Sequence, residues 1–144
     1  MSKLSTENIH ATTVARGDRA VVIGGPSGAG KSDLALQLID RGYKLVADDQ
    51  TLLRRDKDRL FASAPPSISG KMEVRGLGII ELASREDVMV ALYVDLSAPP
   101  DRLPEEGERE MLFGCALPRL RVDPKGTSAA IKIDMALDRI GLEP

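Results

Sequence analysis

The chain has 144 residues, which fits one domain over 1–144, and its 20 Lys and Arg against 22 Asp and Glu leave a formal net charge of −2, too little to hold nucleic acid on a basic surface. Aromatic residues are only 3% with no Trp, so the core must be built from Ala, Val, Ile and Leu, and base-stacking platforms are not expected. One cysteine, Cys115, forbids an intrachain disulfide, no stretch approaches the roughly 18 apolar residues of a membrane helix, and Met1 to Ile9 has no apolar signal core, so a cytoplasmic protein without a membrane partner is expected.

His10 to Val14 reads as a short extended segment, followed by a turn at Arg16-Gly17-Asp18. Arg19 to Gly24 is a β-branched apolar run bounded by glycines, a buried strand. A glycine-rich loop follows, then a helix from Lys31 to about Arg41 with Leu34, Ala35 and Leu38 at helical spacing, stopped by Gly42. Lys44 to Ala47 is a second short strand ending at Asp48-Asp49. Thr51 to Leu60 alternates apolar and charged residues as a hairpin does, and Phe61 to Gly70 is a loop in which Pro65-Pro66 cannot pair as a central strand. Met72 to Leu82 sets two glycines in an apolar frame, Val88 to Leu96 is a strong strand, and Pro99 to Gly107 is polar and proline-rich. Ala129 to Ile140 is a terminal helix, with Ile131, Met135 and Leu142 expected to face inward. Strands alternating with helices make this an α/β domain, a central sheet flanked by helices. Cys115 is expected to be a small buried hydrophobe within it.

Gly25-Pro26-Ser27-Gly28-Ala29-Gly30-Lys31-Ser32 matches G-x-x-x-x-G-K-[ST] at every fixed position and lies between a predicted strand and a predicted helix. Glycines let successive backbone N–H groups curl around a phosphate, and the helix opening at Lys31 aims its positive end at the same anion. Lys31 is placed to reach the β- and γ-phosphates, and the Ser32 hydroxyl to ligate Mg²⁺. The motif predicts a nucleoside triphosphate, without saying what becomes of its γ-phosphate.

Phosphate-loop enzymes usually carry an acid at the end of a nearby strand, and Asp48 and Asp49 are two candidates. One carboxylate could accept a proton from an acceptor hydroxyl and the other could support the metal. Neighbouring strand residues point to opposite faces, so the two cannot share one job.

With these residues in view, the chain resembles the catalytic domain of HPr kinase/phosphorylase, a family that phosphorylates a serine of the phosphocarrier protein HPr. The likeness runs from His10 to Gly141. It is carried by His10, 15 residues before Gly25, by the loop itself, by Arg41 to Asp49, by Met72-Glu73-Val74-Arg75-Gly76-Leu77-Gly78-Ile79-Ile80, and by Asp101-Arg102-Leu103. The Met72 to Ile80 run is the most specific, since a generic phosphate-loop kinase has nothing like it. The resemblance implies ATP and Mg²⁺ as cofactors, HPr as partner and a homo-oligomer, a hexamer in the family. It implies that residues 25–32 bind the nucleotide, that Ser32 and Glu73 bind Mg²⁺, and that Asp48 takes the proton from the HPr serine. Lys31, His10 and Arg102 would assist around the phosphoryl group. A small-molecule kinase and a non-catalytic ATP-binding regulator remain the alternatives.

The chain departs from the family in two ways. The N-terminal regulatory domain of longer members is expected to have no counterpart here. The family's R-P-G-R-N-L stretch, linked to dephosphorylation, falls on Asp123-Pro124-Lys125-Gly126-Thr127-Ser128, where both arginines are missing. Lys125 is a point charge that cannot copy a planar guanidinium fork, so weak phosphorolysis is expected.

Overall fold

The structure, a computed structural model, describes residues 6–97 and 107–144. Eleven strands and two α-helices are present among them: β1 (Thr6–Ile9), β2 (Ala11–Arg16), β3 (Arg19–Gly24), α1 (Lys31–Asp40), β4 (Lys44–Ala47), β5 (Thr51–Asp56), β6 (Arg59–Ser63), β7 (Lys71–Val74), β8 (Gly78–Glu81), β9 (Val88–Asp95), β10 (Arg109–Leu112), β11 (Cys115–Arg121) and α2 (Ala129–Ile140); a single 3-10 turn spans Pro66–Ile68. A mixed sheet runs in the order β1-β5-β6-β9-β3-β2-β4, with β11 beside the end of β9 and β10 beyond it; β7 and β8 form a separate hairpin. The domain is α/β, as the alternation of strands and helices predicts.

The apolar run of β3 sits at the centre because it can be buried on both faces. Val21 and Ile23 point into one core, and Ala20 and Val22 into the other. β9 lies parallel to β3 and carries a register shift: Ala20 faces Val90, but Val21 faces Leu92. This extra residue turns the alternation over, so Ala91 and Leu92 both face the first core. Both helices pack on that side, where Leu34, Leu38, Ile133 and Leu137 are fully buried. The second core is closed by the sheet itself. β5 and β6 fold back toward β2 and β4, burying Leu53, Leu60 and Ala62 against Ala11, Val46 and Ala47. The Thr51 hydroxyl pins this fold-back by donating to the Ala11 carbonyl (2.9 Å), and it also bonds the Thr13 hydroxyl at 2.9 Å. Small residues on this face let the curled strands approach closely. Cys115 is buried here, as its residue type suggests.

Three local expectations need correction. Phe61 to Ser63 are not loop but complete β6, paired with β5 and β9. β10 and β11 occupy a stretch for which no strand is expected, since Pro118 sits in the middle of β11. Ile131 and Met135 do not face inward: they are 44% and 56% exposed, while Ala130, Ile133 and Leu137 form the buried stripe. Leu142 does pack against the core. The helix carries two apolar stripes, and a polar anchor decides between them. Asp134 accepts a hydrogen bond from the Tyr43 hydroxyl (2.6 Å) and another from Arg16 (2.7 Å), with Arg41 3.6 Å away. Arg16 also reaches Asp138, and Arg19 donates to the Leu137 carbonyl at 3.0 Å. Rotating α2 to bury Ile131 would break this network.

The Tyr43 hydroxyl and then the Arg16 guanidinium outweigh partial burial and hold the Asp134 carboxyl below the usual carboxylate range. A depressed folded-state value contributes stability above the unfolded value of about 3.9, and that contribution disappears as pH falls through the folded value. Asp134→Ala is expected to lower unfolding free energy by about 1–3 kcal/mol at neutral pH. Urea titrations of both proteins should show the difference shrinking as pH drops below 4; a pH-independent difference would remove the charge from the explanation.

Candidate active site

The chain leaves β3 at Gly24 and turns into the loop before α1. Gly24 is held from both sides. Its carbonyl accepts from the Leu96 amide (2.9 Å), and a Cβ here would lie 1.9 Å from the Tyr93 hydroxyl. Gly30 caps α1 in a left-handed conformation (φ 102°) that a larger residue rarely adopts, with no side chain in the way of an anion. Pro124 packs against Gly30, bringing the Asp123 to Ser128 stretch beside the loop. Lys31 opens the helix, and its buried ammonium donates to the carbonyls of Gly25 and Pro26, each at 2.9 Å. Ser27, Gly28, Gly30, Lys31 and Ser32 line a cavity of about 650 Å³, with His10, Glu73 and Arg75 on its other walls.

The two aspartates after β4 are held differently. Asp48 is buried and takes three internal hydrogen bonds. Its Oδ1 accepts from the Ser32 hydroxyl (2.6 Å) and the Thr12 hydroxyl (3.2 Å), and its Oδ2 from the Glu73 amide (3.3 Å). Asp49 has a positive φ of 69°, a conformation Asp tolerates better than most residues. That turn swings its side chain out, 63% exposed, with Oδ1 at 3.2 Å from His10 Nε2. The Asp49 amide donates to Thr12 Oγ1 at 3.1 Å, so one threonine fixes both acids.

A third acid stands where phosphate-loop folds often place one, at the end of β9 beside β3. Burial pushes the Asp95 carboxyl up, but the Ser97 hydroxyl and amide and the Arg119 guanidinium outweigh this and hold it below the usual range. Arg119 Nε donates to Asp95 Oδ2 at 3.1 Å, and the same guanidinium lies near Glu108 and Glu110. This pairing commits Asp95 to structure. It leaves the acids of β4, two strands from β3, to face the loop.

Of the residues singled out from the sequence, His10, Ser27, Gly28, Gly30, Lys31, Ser32, Asp49 and Glu73 line one cavity, and Asp48 is tied to it by its bonds to Ser32 and the Glu73 amide. Arg102 lies outside the described residues. Sequence reading missed Thr12, whose only signal is a hydroxyl, one of two adjacent in a short extended segment. Val74, Arg75, Gly76 and Gly78 also line the cavity, within the run that the sequence marks as most specific.

The donor set fits the cofactors implied. Ser32 and Glu73 offer hard oxygen atoms, the kind Mg²⁺ takes, while among the described residues no three acids or histidines gather closely enough to enclose an ion by themselves. The loop offers backbone amides and a lysine to phosphate.

Comparison with known proteins agrees with this geometry. The family model described as HPr Serine kinase C-terminal domain matches residues 2–141. HPr kinase/phosphorylase of Lacticaseibacillus casei is 38% identical over 130 residues, 81% of this chain and 41% of that protein. HPr kinase/phosphorylase of Geobacillus kaustophilus is 37% identical over 161 residues, 98% of this chain and 52% of that protein. The chain thus spans about half the length of these relatives. Among solved structures, an Hpr(Ser) kinase/phosphatase from Coxiella burnetii superposes with a TM-score of 0.77 at 26% identity, covering 92% of this chain and 95% of that one.

Lys31→Ala is expected to weaken nucleotide binding by more than about tenfold, since the ammonium is the loop's own cation. Circular dichroism should show the fold retained, and titration with a fluorescent ATP analogue the loss. Unchanged affinity would show that the loop does not hold phosphates.

Proposed function

This chain belongs to the HPr serine kinase C-terminal domain family, and on that premise we propose that it is a single catalytic unit that phosphorylates a serine of HPr with ATP and Mg²⁺. The observation that carries the reading is the bond between the Ser32 hydroxyl and the buried Asp48, beside a cavity that exposed Asp49 and His10 also line. Bound ATP would supply the γ-phosphoryl group, and Mg²⁺ would neutralise its charge. Residues 25–32 would hold the phosphates, and Ser32 and Glu73 would hold the metal. Lys31 supplies positive charge from the loop, and Arg75, which lines the same cavity, adds to it.

We assign the proton acceptor to Asp49 rather than Asp48, the residue that the family resemblance implies. A general base must reach the hydroxyl it deprotonates. Asp48 is buried with both oxygens already accepting hydrogen bonds, which suits it to orienting Ser32 and Glu73. Asp49 is exposed in the cleft and has His10 beside it. Arg102 remains part of this reading on the resemblance alone. So does the homo-oligomer, a hexamer; the exposed Ile131 and Met135 on α2 are apolar surface suited to it. Among the described residues no helix is long and apolar enough to cross a membrane. We place the enzyme with HPr in the cytoplasm.

Incubation with labelled ATP, Mg²⁺ and HPr tests the reading. Wild type should label a serine of HPr, and Asp49→Asn should cut the rate ~10²–10⁴-fold while leaving nucleotide affinity unchanged. ATP binding without transfer would point to a regulator, and transfer to a small alcohol but not HPr to a small-molecule kinase.

The reverse direction should be weak. Phosphorolysis brings inorganic phosphate against phosphoserine, two anions at close range, and needs added positive charge. The 123–128 stretch beside Gly30 offers only Lys125. With serine-phosphorylated HPr and millimolar phosphate, pyrophosphate should form far more slowly than the forward reaction runs. Comparable rates would show that other residues supply the charge.

A further inference from the structure

Two strand ends flank the phosphate loop, and one ion pair joins them. β9 ends at Asp95, which lies opposite Gly24 of β3 on one side and opposite Arg121 of β11 on the other. The main chain carries both pairings on into the loop. The Leu96 amide donates to the Gly24 carbonyl (2.9 Å), and Leu96 Cβ is 3.1 Å from where a Gly25 Cβ would lie. The Val122 amide donates to the Asp95 carbonyl (3.1 Å), and Pro124, just beyond, comes within 3.3 Å of where a Gly30 Cβ would lie. The loop therefore rests on the end of β9 where it begins and on the chain after β11 where it ends.

The Asp95 side chain fixes this arrangement. It is buried, and its two oxygens serve different partners. Oδ1 accepts from the Ser97 amide (2.8 Å) and the Ser97 hydroxyl, which turns the chain just after Leu96. Oδ2 accepts from Arg119 Nε (3.1 Å) and from a second nitrogen of the same guanidinium. Arg119 also stands 3.5 Å from Glu108 and 3.6 Å from Glu110, so one planar cation is shared by three carboxylates. Without it Asp95 would be a buried charge that has lost its counter-ion. Neither Asp95 nor Arg119 lines the cavity that the loop faces. Any effect they have on a ligand passes through the backbone at Leu96 and Val122. Backbone amides hold an anion well only when they are kept within about 0.5 Å of the productive geometry.

We propose that Arg119 is a positioning residue for phosphate binding: by clamping Asp95 it holds the two strand ends that carry the flanks of the loop, and so aims the loop amides and Lys31 at the phosphates. The proposal rests on the nucleotide site of the kinase reading and on nothing about the acceptor.

Calorimetry with MgATP, and separately with tripolyphosphate and Mg²⁺, tests it in the full chain without HPr. Arg119→Met should raise both Kd values by about tenfold or more, and by similar factors, because the clamp acts on the phosphates and not on the nucleoside. In steady-state transfer the KM for ATP should rise with them while the KM for HPr stays within about twofold. Arg16→Met, which breaks the Asp134 network away from the cavity, is the control for lost stability and should leave both Kd values within about twofold. Coupling is reciprocal, so wild type supplies a second measurement. Saturating MgATP should slow hydrogen exchange at the Leu96 and Val122 amides more than at the Gly141 amide at the end of α2. Arg119→Met binding both ligands as wild type does, or losing no more affinity than Arg16→Met, would overturn the clamp. So would exchange at Leu96 and Val122 that MgATP leaves unchanged, a result that decides the matter even if Arg119→Met does not fold. Wild type that binds neither ligand would overturn the clamp and the kinase reading together; binding without transfer to HPr would overturn the kinase reading alone.

Discussion

The buried carboxylate of Asp48 is the point to which three walls of the cleft are tied. It accepts from Ser32 at the start of α1, from Thr12 on β2 and from the Glu73 amide on β7. Three elements remote in sequence are therefore locked to one point. A buried carboxylate needs such donors, because an unpaired charge removed from water is costly. The need for partners and the need to orient Ser32 are met by the same bonds. The β7–β8 hairpin lies outside the main sheet, and this amide bond is one of the ties that hold it over the phosphate loop.

The same logic separates the roles of three neighbouring acids. Asp95 is neutralised by Arg119 and serves the turn under Gly24 and Gly25. Asp48 is saturated from within. Asp49 is turned outward by a positive φ and is left facing the cleft. Local strain of this kind persists only where surroundings enforce it, here through the Thr12 hydroxyl on the Asp49 amide.

Much of this was legible in the sequence, for identifiable reasons. β3, α1 and β4 follow from a β-branched run, a glycine-flanked phosphate motif and a short apolar strand, all signals local to a few residues. The cleft membership of His10 and Glu73 came from the resemblance, since neither residue has a local signal. The buried face of α2 was misread because two apolar stripes compete, and the choice between them lies with Tyr43 and Arg16, some ninety and more residues away. β10 and β11 were hidden by Pro118 and by charged residues that pair across strands. The division of labour between Asp48 and Asp49 depends on Thr12 and on a single backbone angle, which no pattern of residue types reveals.

In the reading proposed above, Asp48 organises the metal side of the cleft while Asp49 acts on the acceptor. The most direct measurement is the Mg²⁺ dependence of ATP binding in Asp48→Asn and Asp49→Asn, read by calorimetry without HPr. Asp48→Asn should shift the Mg²⁺ requirement upward, while Asp49→Asn should bind MgATP as wild type does. Equal effects of the two substitutions, or a shift in Asp49→Asn alone, would contradict it.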